Sequence, residues 1–99
     1  MATLADVTRV FEEKKATVPG KRVMLDFGES GVIMLDGVSK TVSNNRGEAD
    51  TTIQISLENF VAMAQGKLNG TMAFMQGKLK IKGDMATAMK FQSLSAGLR

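Results

Sequence analysis

Neither cysteine nor histidine occurs in this 99-residue chain, and the two absences together exclude disulfides, thiolate nucleophiles, imidazole bases and zinc sites built on either residue. Tryptophan and tyrosine are missing too, leaving five phenylalanines as the aromatic inventory. Stacking platforms for bases are therefore scarce, and no nucleic-acid partner is expected. No run approaches the roughly 18 apolar residues of a spanning helix. The N-terminal MATLADVTRVFEEKK is amphipathic and mixed in charge, unlike the apolar core of a signal peptide, and the final Gly97-Leu98-Arg99 is not a peroxisomal address of the Ser-Lys-Leu type. A cytoplasmic location is the expectation. Carboxylates at Asp26, Glu29, Asp36, Glu48, Asp50, Glu58 and Asp84 mostly fall at turns, a cap or an outward strand position, where solvation or capping accounts for them. No catalytic constellation, metal site or cofactor follows from them, and no calcium-binding loop is present.

What the chain does contain is unevenly distributed. Residues 1–64 carry seven basic and nine acidic side chains, whereas residues 65–99 carry six basic and one acidic. Such a basic third attracts anionic surfaces, or merely keeps a small domain soluble. Within it, GKLNGTMAFMQGKLKIKGD repeats Gly-Lys-Leu. The repeat is not a phosphate loop, because six residues separate Gly70 from Gly77 and Lys78 is followed by Leu79, against the four residues and the Ser or Thr that a P-loop needs. Each Gly-Lys-Leu marks the exit from a helix instead.

The pattern predicts one domain over residues 1–99, of α+β class, without a linker. Thr3 caps a first helix with Leu4, Val7, Val10 and Phe11 on its inner stripe, and Val18-Pro19-Gly20 stops it. Strands follow at 22–27, 32–35, 38–43 and 49–55, with the first two forming a hairpin in which Phe27 faces Val32 and Leu25 faces Met34. Ser56 caps a helix carrying Leu57, Phe60, Val61 and Ala64 that ends at Gly66. A short helical turn with Met72, Phe74 and Met75 begins at Asn69 or Thr71. The fifth strand alternates Leu79 and Ile81 against Lys78, Lys80 and Lys82, and Gly83-Asp84 caps a last helix with Met85, Ala88, Met89, Phe91 and Leu94. Eight methionines in so short a chain either fill gaps in a small solid core or line a cavity that accepts ligands of several shapes.

Residues 73–94, AFMQGKLKIKGDMATAMKFQSL, together with ADTTI at 49–53 and GKLN at 66–69, closely resemble the sterol carrier protein type 2, or non-specific lipid-transfer, domain family. The resemblance implies a five-stranded mixed, mainly antiparallel sheet with helices packed on one face, enclosing an apolar lipid tunnel. It further implies a non-enzymatic domain that binds and transfers fatty acids, acyl-CoAs, sterols or other isoprenoids, or alternatively a protein-interaction scaffold of the same fold that assists lipid or quinone biosynthesis. The residues expected to meet the lipid are Leu25, Met34, Phe60, Met63, Thr71, Met72, Met75, Met85 and Met89. Lys78, Lys80 and Lys82 are expected to dock on anionic membranes. Where many relatives read Asn-Pro-Gln, this chain has Asn69-Gly70-Thr71, which implies weak anchoring of a lipid's polar end.

Overall fold

The structure, a computed structural model, describes residues 3–96. Helix α1 spans Leu4–Lys14, strands β1 to β4 span Arg22–Asp26, Val32–Asp36, Thr41–Ser43 and Thr51–Ile55, helices α2 and α3 span Leu57–Ala64 and Gly70–Met75, strand β5 spans Leu79–Gly83, and helix α4 spans Met85–Ala96. The strands form one sheet in the order β3-β2-β1-β4-β5, in which β1 and β4 run parallel and every other neighbour is antiparallel. No helix among the described residues is long and apolar enough to cross a membrane.

The helices begin where side chains satisfy their free N–H groups. At α1 a capping box closes, with the Asp6 N–H donating to Thr3 Oγ1 and the Thr3 N–H donating to Asp6 Oδ2 at 3.2 and 3.0 Å. Ser56 Oγ accepts from the Asn59 N–H at α2, and Asn69 Oδ1 accepts from the Thr71 and Met72 N–H groups at α3. Helix α1 ends before the predicted Val18-Pro19-Gly20 stop, because Lys15 turns left-handed at φ 52° and the Ala16 N–H donates to the Phe11 carbonyl. Its inner stripe is also corrected: Val10 is exposed, while Thr8 is buried and donates its hydroxyl to the Leu4 carbonyl.

Pairing of β1 with β2 corrects the predicted register by one residue: Leu25 faces Ile33, Met24 faces Met34, and the Phe27 N–H donates to the Gly31 carbonyl. A single 3-10 turn over Gly28–Ser30 closes the hairpin, which leaves Gly31 and not Val32 opposite Phe27. One face of the sheet thus presents Val23, Leu25, Ile33, Leu35, Ile53, Ile55 and Leu79, and all four helices cover it through Phe11, Phe60, Ala73 and Phe91. Phe11 lies with ring centroids 5.9 Å from Phe60 and 6.0 Å from Phe91, and Phe27 lies 5.5 Å from Phe60. These tilted contacts are favourable for aromatic quadrupoles and fill the centre of the layer. Met24, Val32 and Met34 form a separate small cluster on the other face, against Ala49.

Strand β3 is shorter than predicted, since the Val38 and Ser39 N–H groups are both taken by Asp36 Oδ1, at 2.9 and 3.1 Å, and cannot join a ladder.

Candidate functional site

Strand β5 is an edge strand whose inner side chains, Leu79 and Ile81, form the floor of a cleft of about 150 Å³. Helix α3 supplies one wall with Gly70, Thr71 and Phe74, and α4 supplies the other with Met85, Ala88, Met89 and Gln92. None of these residues is ionisable, and the polar side chains among them are Thr71 and Gln92. The walls stay apolar while remaining open to water: Phe74 is 49% exposed, Met85 50% and Met89 66%. The lining suits aliphatic or flat apolar matter and offers no charge, only two uncharged hydrogen-bonding groups.

Local sequence explains how the walls are held. Helix α3 has one buried residue, Ala73, and ends as Gly77 takes φ 76°. Helix α4 is fastened at its start. The Asp84 N–H donates to the Asp50 carbonyl, Thr51 Oγ1 donates to the Asp84 carbonyl, and Asp84 accepts from the Ala86 N–H and the Thr87 hydroxyl. The Thr87 hydroxyl foremost, with the Ala86 N–H, holds the Asp84 carboxyl below its ordinary pKa. Gly83 has to be glycine here: at φ 99° a Cβ would stand 2.3 Å from the Asp50 carbonyl oxygen. Gly70 sits directly across from α4, where a Cβ would meet Gln92 Nε2 at 3.2 Å and Met63 Cε at 3.3 Å.

The expected lipid contacts divide into four groups. Thr71, Met85 and Met89 line the cleft, and the Met63 methyl reaches its Gly70 rim. Met72 and Met75 are exposed on α3 without lining it, at 51% and 76%. Leu25 and Phe60 lie in the main core. Met34 stands on the opposite face of the sheet from the helices, a direct result of the register correction, so the structure does not bring it to the others. The side chain of Leu94 lies outside the described ones.

Phe74, Leu79, Ile81, Ala88 and Gln92 complete the cleft without having been expected there. Gln92 had a usable signal: it follows Met85 by seven residues and Met89 by three, the spacing of one helical stripe. Lys80 and Lys82 pair across the ladder with Gln54 and Thr52 on the outer face of the sheet, away from the cleft. Lys78 and Lys80 there border a shallow groove of about 390 Å³ with Asp26, Gln54 and Ser56. The Gly28 N–H foremost, and then the Arg46 guanidinium, hold the Asp26 carboxyl below its ordinary range. No group of three or more Asp or Glu side chains among the described residues converges on a metal site.

Comparison with known proteins agrees with this architecture. The SCP-2 sterol transfer family matches residues 4–96. Hydroxysteroid dehydrogenase-like protein 2 of Bos taurus is 44% identical over 84 residues, which cover 81% of this chain but 20% of that protein, so the chain spans about a fifth of the relative's length. The crystal structure of Sterol Carrier Protein 2 Like 2 from Aedes aegypti superposes with a TM-score of 0.68 at 25% identity, covering 88% of this chain and 94% of the other. The solution structure of Sterol Carrier Protein-2 from the same mosquito, in complex with the C16 fatty acid palmitate, gives 0.79 at 14% identity over the whole of both chains; that likeness is one of fold.

Proposed function

Because this chain belongs to the SCP-2 sterol transfer family, we propose that it binds a lipid, such as a fatty acid, an acyl-CoA, a sterol or another isoprenoid, and transfers it by sheltering its apolar part between α3, β5 and α4. The observation that carries the proposal is the uncharged cleft whose methionine and phenylalanine walls stay 49–66% exposed. Large apolar side chains left in water at one concave site mark a surface that is completed by something apolar.

The mechanism is burial. Each methylene removed from water contributes about 0.8 kcal/mol, so a sixteen-carbon chain has about 13 kcal/mol of gross drive to leave solution. A bilayer offers nearly the same, and a carrier has only to match it to load and unload. At about 150 Å³ the cleft is smaller than the roughly 300–1,000 Å³ of ordinary ligand sites. Loading therefore parts α3 from α4, and the pliable side chains of Met63, Met85 and Met89 re-pack along the ligand. Helix α3 is the wall that yields, since α4 is fastened to β4 by Thr51 and Asp84. Lys78, Lys80 and Lys82 draw the loaded edge strand to anionic membranes.

Displacement of a fluorescent fatty acid from the purified chain tests this. Saturable binding at micromolar concentration is expected. The absence of saturable binding across fatty acids, acyl-CoAs, sterols and isoprenoid quinones would overturn it.

A further inference from the structure

Six of the described methionines fall into two sets, and half-buried Met63 lies between them. Met72, Met75, Met85 and Met89 are between 50% and 76% exposed, and all four sit on α3 or α4. Met24 and Met34 are 7% and 8% exposed, enclosed with Val32 and Ala49 on the far face of the sheet. The exposed set is therefore confined to the two helices that wall the cleft, and two of its members, Met85 and Met89, line it. With no cysteine, histidine, tryptophan or tyrosine in the sequence, the thioethers are the side chains most open to two-electron oxidation, and exposure decides which react first.

We propose that Met85 and Met89 are a reversible oxidation site through which hydroperoxides switch off lipid binding; the proposal rests on the reading of the cleft as a lipid site. A thioether lone pair attacks one peroxide oxygen, an S–O bond forms as the O–O bond breaks, and the other oxygen leaves with the protons as water or an alcohol. The flexible apolar side chain becomes a polar, chiral sulfoxide. At two positions on the same wall this converts a surface that prefers methylenes into one that prefers water. A thiol-dependent methionine sulfoxide reductase reverses the step: the S–O bond breaks, oxygen departs as water, and two thiols become a disulfide. Neither methionine is a member of the buried core that holds Phe11, Phe27, Phe60 and Phe91, so the fold survives the modification.

The full chain is treated with hydrogen peroxide, oxidation is mapped by peptide mass spectrometry, and affinity for a fluorescent C16 fatty acid is measured at each stage. Met85 and Met89 should oxidise at least about tenfold faster than Met24 and Met34. Affinity should fall about tenfold or more once both are sulfoxides, with unchanged far-UV circular dichroism, and should return after treatment with the reductase and dithiothreitol. In preparations separated by extent of oxidation, the loss should follow sulfoxide at Met85 and Met89 and not at Met72 and Met75. In the double variant Met85→Leu, Met89→Leu, the ratio of affinities before and after peroxide should be near one, whatever the starting affinity. Full affinity in the doubly oxidised protein overturns the switch and leaves the lipid reading standing, as does a loss that follows Met72 and Met75 or buried methionines that oxidise as fast as exposed ones. A reduced protein that binds no probe overturns the lipid reading, and the switch with it.

Discussion

Met89 and Phe60 were both expected to touch lipid, and the structure puts them in opposite mechanical situations. Met89 is 66% exposed on the cleft wall, whereas Phe60 is 6% exposed between Phe11 and Phe27. Met89→Trp therefore finds room, and its unfolding free energy should stay within about 0.5 kcal/mol of wild type, while the ring occupies the cleft and fatty-acid affinity falls. Marked destabilisation with wild-type affinity, measured by urea unfolding and probe displacement, would return Met89 to the packed core. Phe60→Ala instead opens a hole beside two rings and should cost about 3–5 kcal/mol, lowering the thermal midpoint by at least about 10 °C in a domain of this size. A third residue gives a pH test. The Ser39 N–H foremost, with the Arg22 guanidinium and the Val38 N–H, lowers the Asp36 carboxyl from 3.8 to about 2. A depressed carboxylate stabilises the fold above its unfolded pKa, and the contribution is lost as pH falls from about 4 through about 2. Asp36→Asn should flatten that part of the acid-unfolding profile, read as the urea midpoint against pH; a profile parallel to wild type would show that Asp36 contributes nothing to acid sensitivity.

At the scale of elements, much was legible because local chemistry announces itself. Thr3, Ser56, Asn69 and Asp84 accept the expected hydrogen bonds at their helix starts, and Leu79 and Ile81 turn inward from their lysine neighbours. The hairpin register was not legible. The run Val32-Ile33-Met34-Leu35 is apolar in both parities, so either register buries a hydrophobic set, and only the turn over Gly28–Ser30 decides. That one-residue shift is what removes Met34 from the helix side. The start of β3 escaped for a different reason: Asp36 captures backbone donors two and three residues ahead, which strand propensity does not register. Helix α3 offers the sharpest element-level test. Gly70→Ala should raise stability by less than about 1 kcal/mol through helix propensity, since the Cβ meets only the movable ends of Gln92 and Met63. The same methyl narrows the cleft, so fatty-acid affinity should fall in displacement assays; unchanged affinity would place the ligand away from the Gly70 rim.

For the molecule as a whole, the sequence conveyed the sheet, the helix layer and the basic C-terminal third, but not that β5 is the sheet's edge and the floor of the cleft. Lys80 and Lys82 stand on the outer face with Gln54 and Thr52, and the cleft opens on the inner one. Periodicity shows that two sets alternate on a strand; it does not show that the strand is an edge. Lysines near an anionic surface contribute about 1 kcal/mol each, and less as salt rises. Replacing Lys78, Lys80 and Lys82 with glutamine should slow transfer from anionic vesicles, make it insensitive to salt, and leave equilibrium fatty-acid affinity nearly unchanged. Transfer at the wild-type rate would count against collisional docking through these lysines.

The parallel pairing of β1 with β4 also orders events in time. Val23 meets Thr51 and Leu25 meets Ile53, so the two central strands come together only by closing a loop that contains all of β2 and β3. The antiparallel pairs β1–β2 and β2–β3 close short loops and can form early, whereas this closure is entropically later. Every wall and floor of the cleft comes from residues 70–92, beyond that junction. On a ribosome, the nascent chain therefore completes four strands before any part of the cleft exists, and the apolar faces of α3 and α4 meet strands already synthesised.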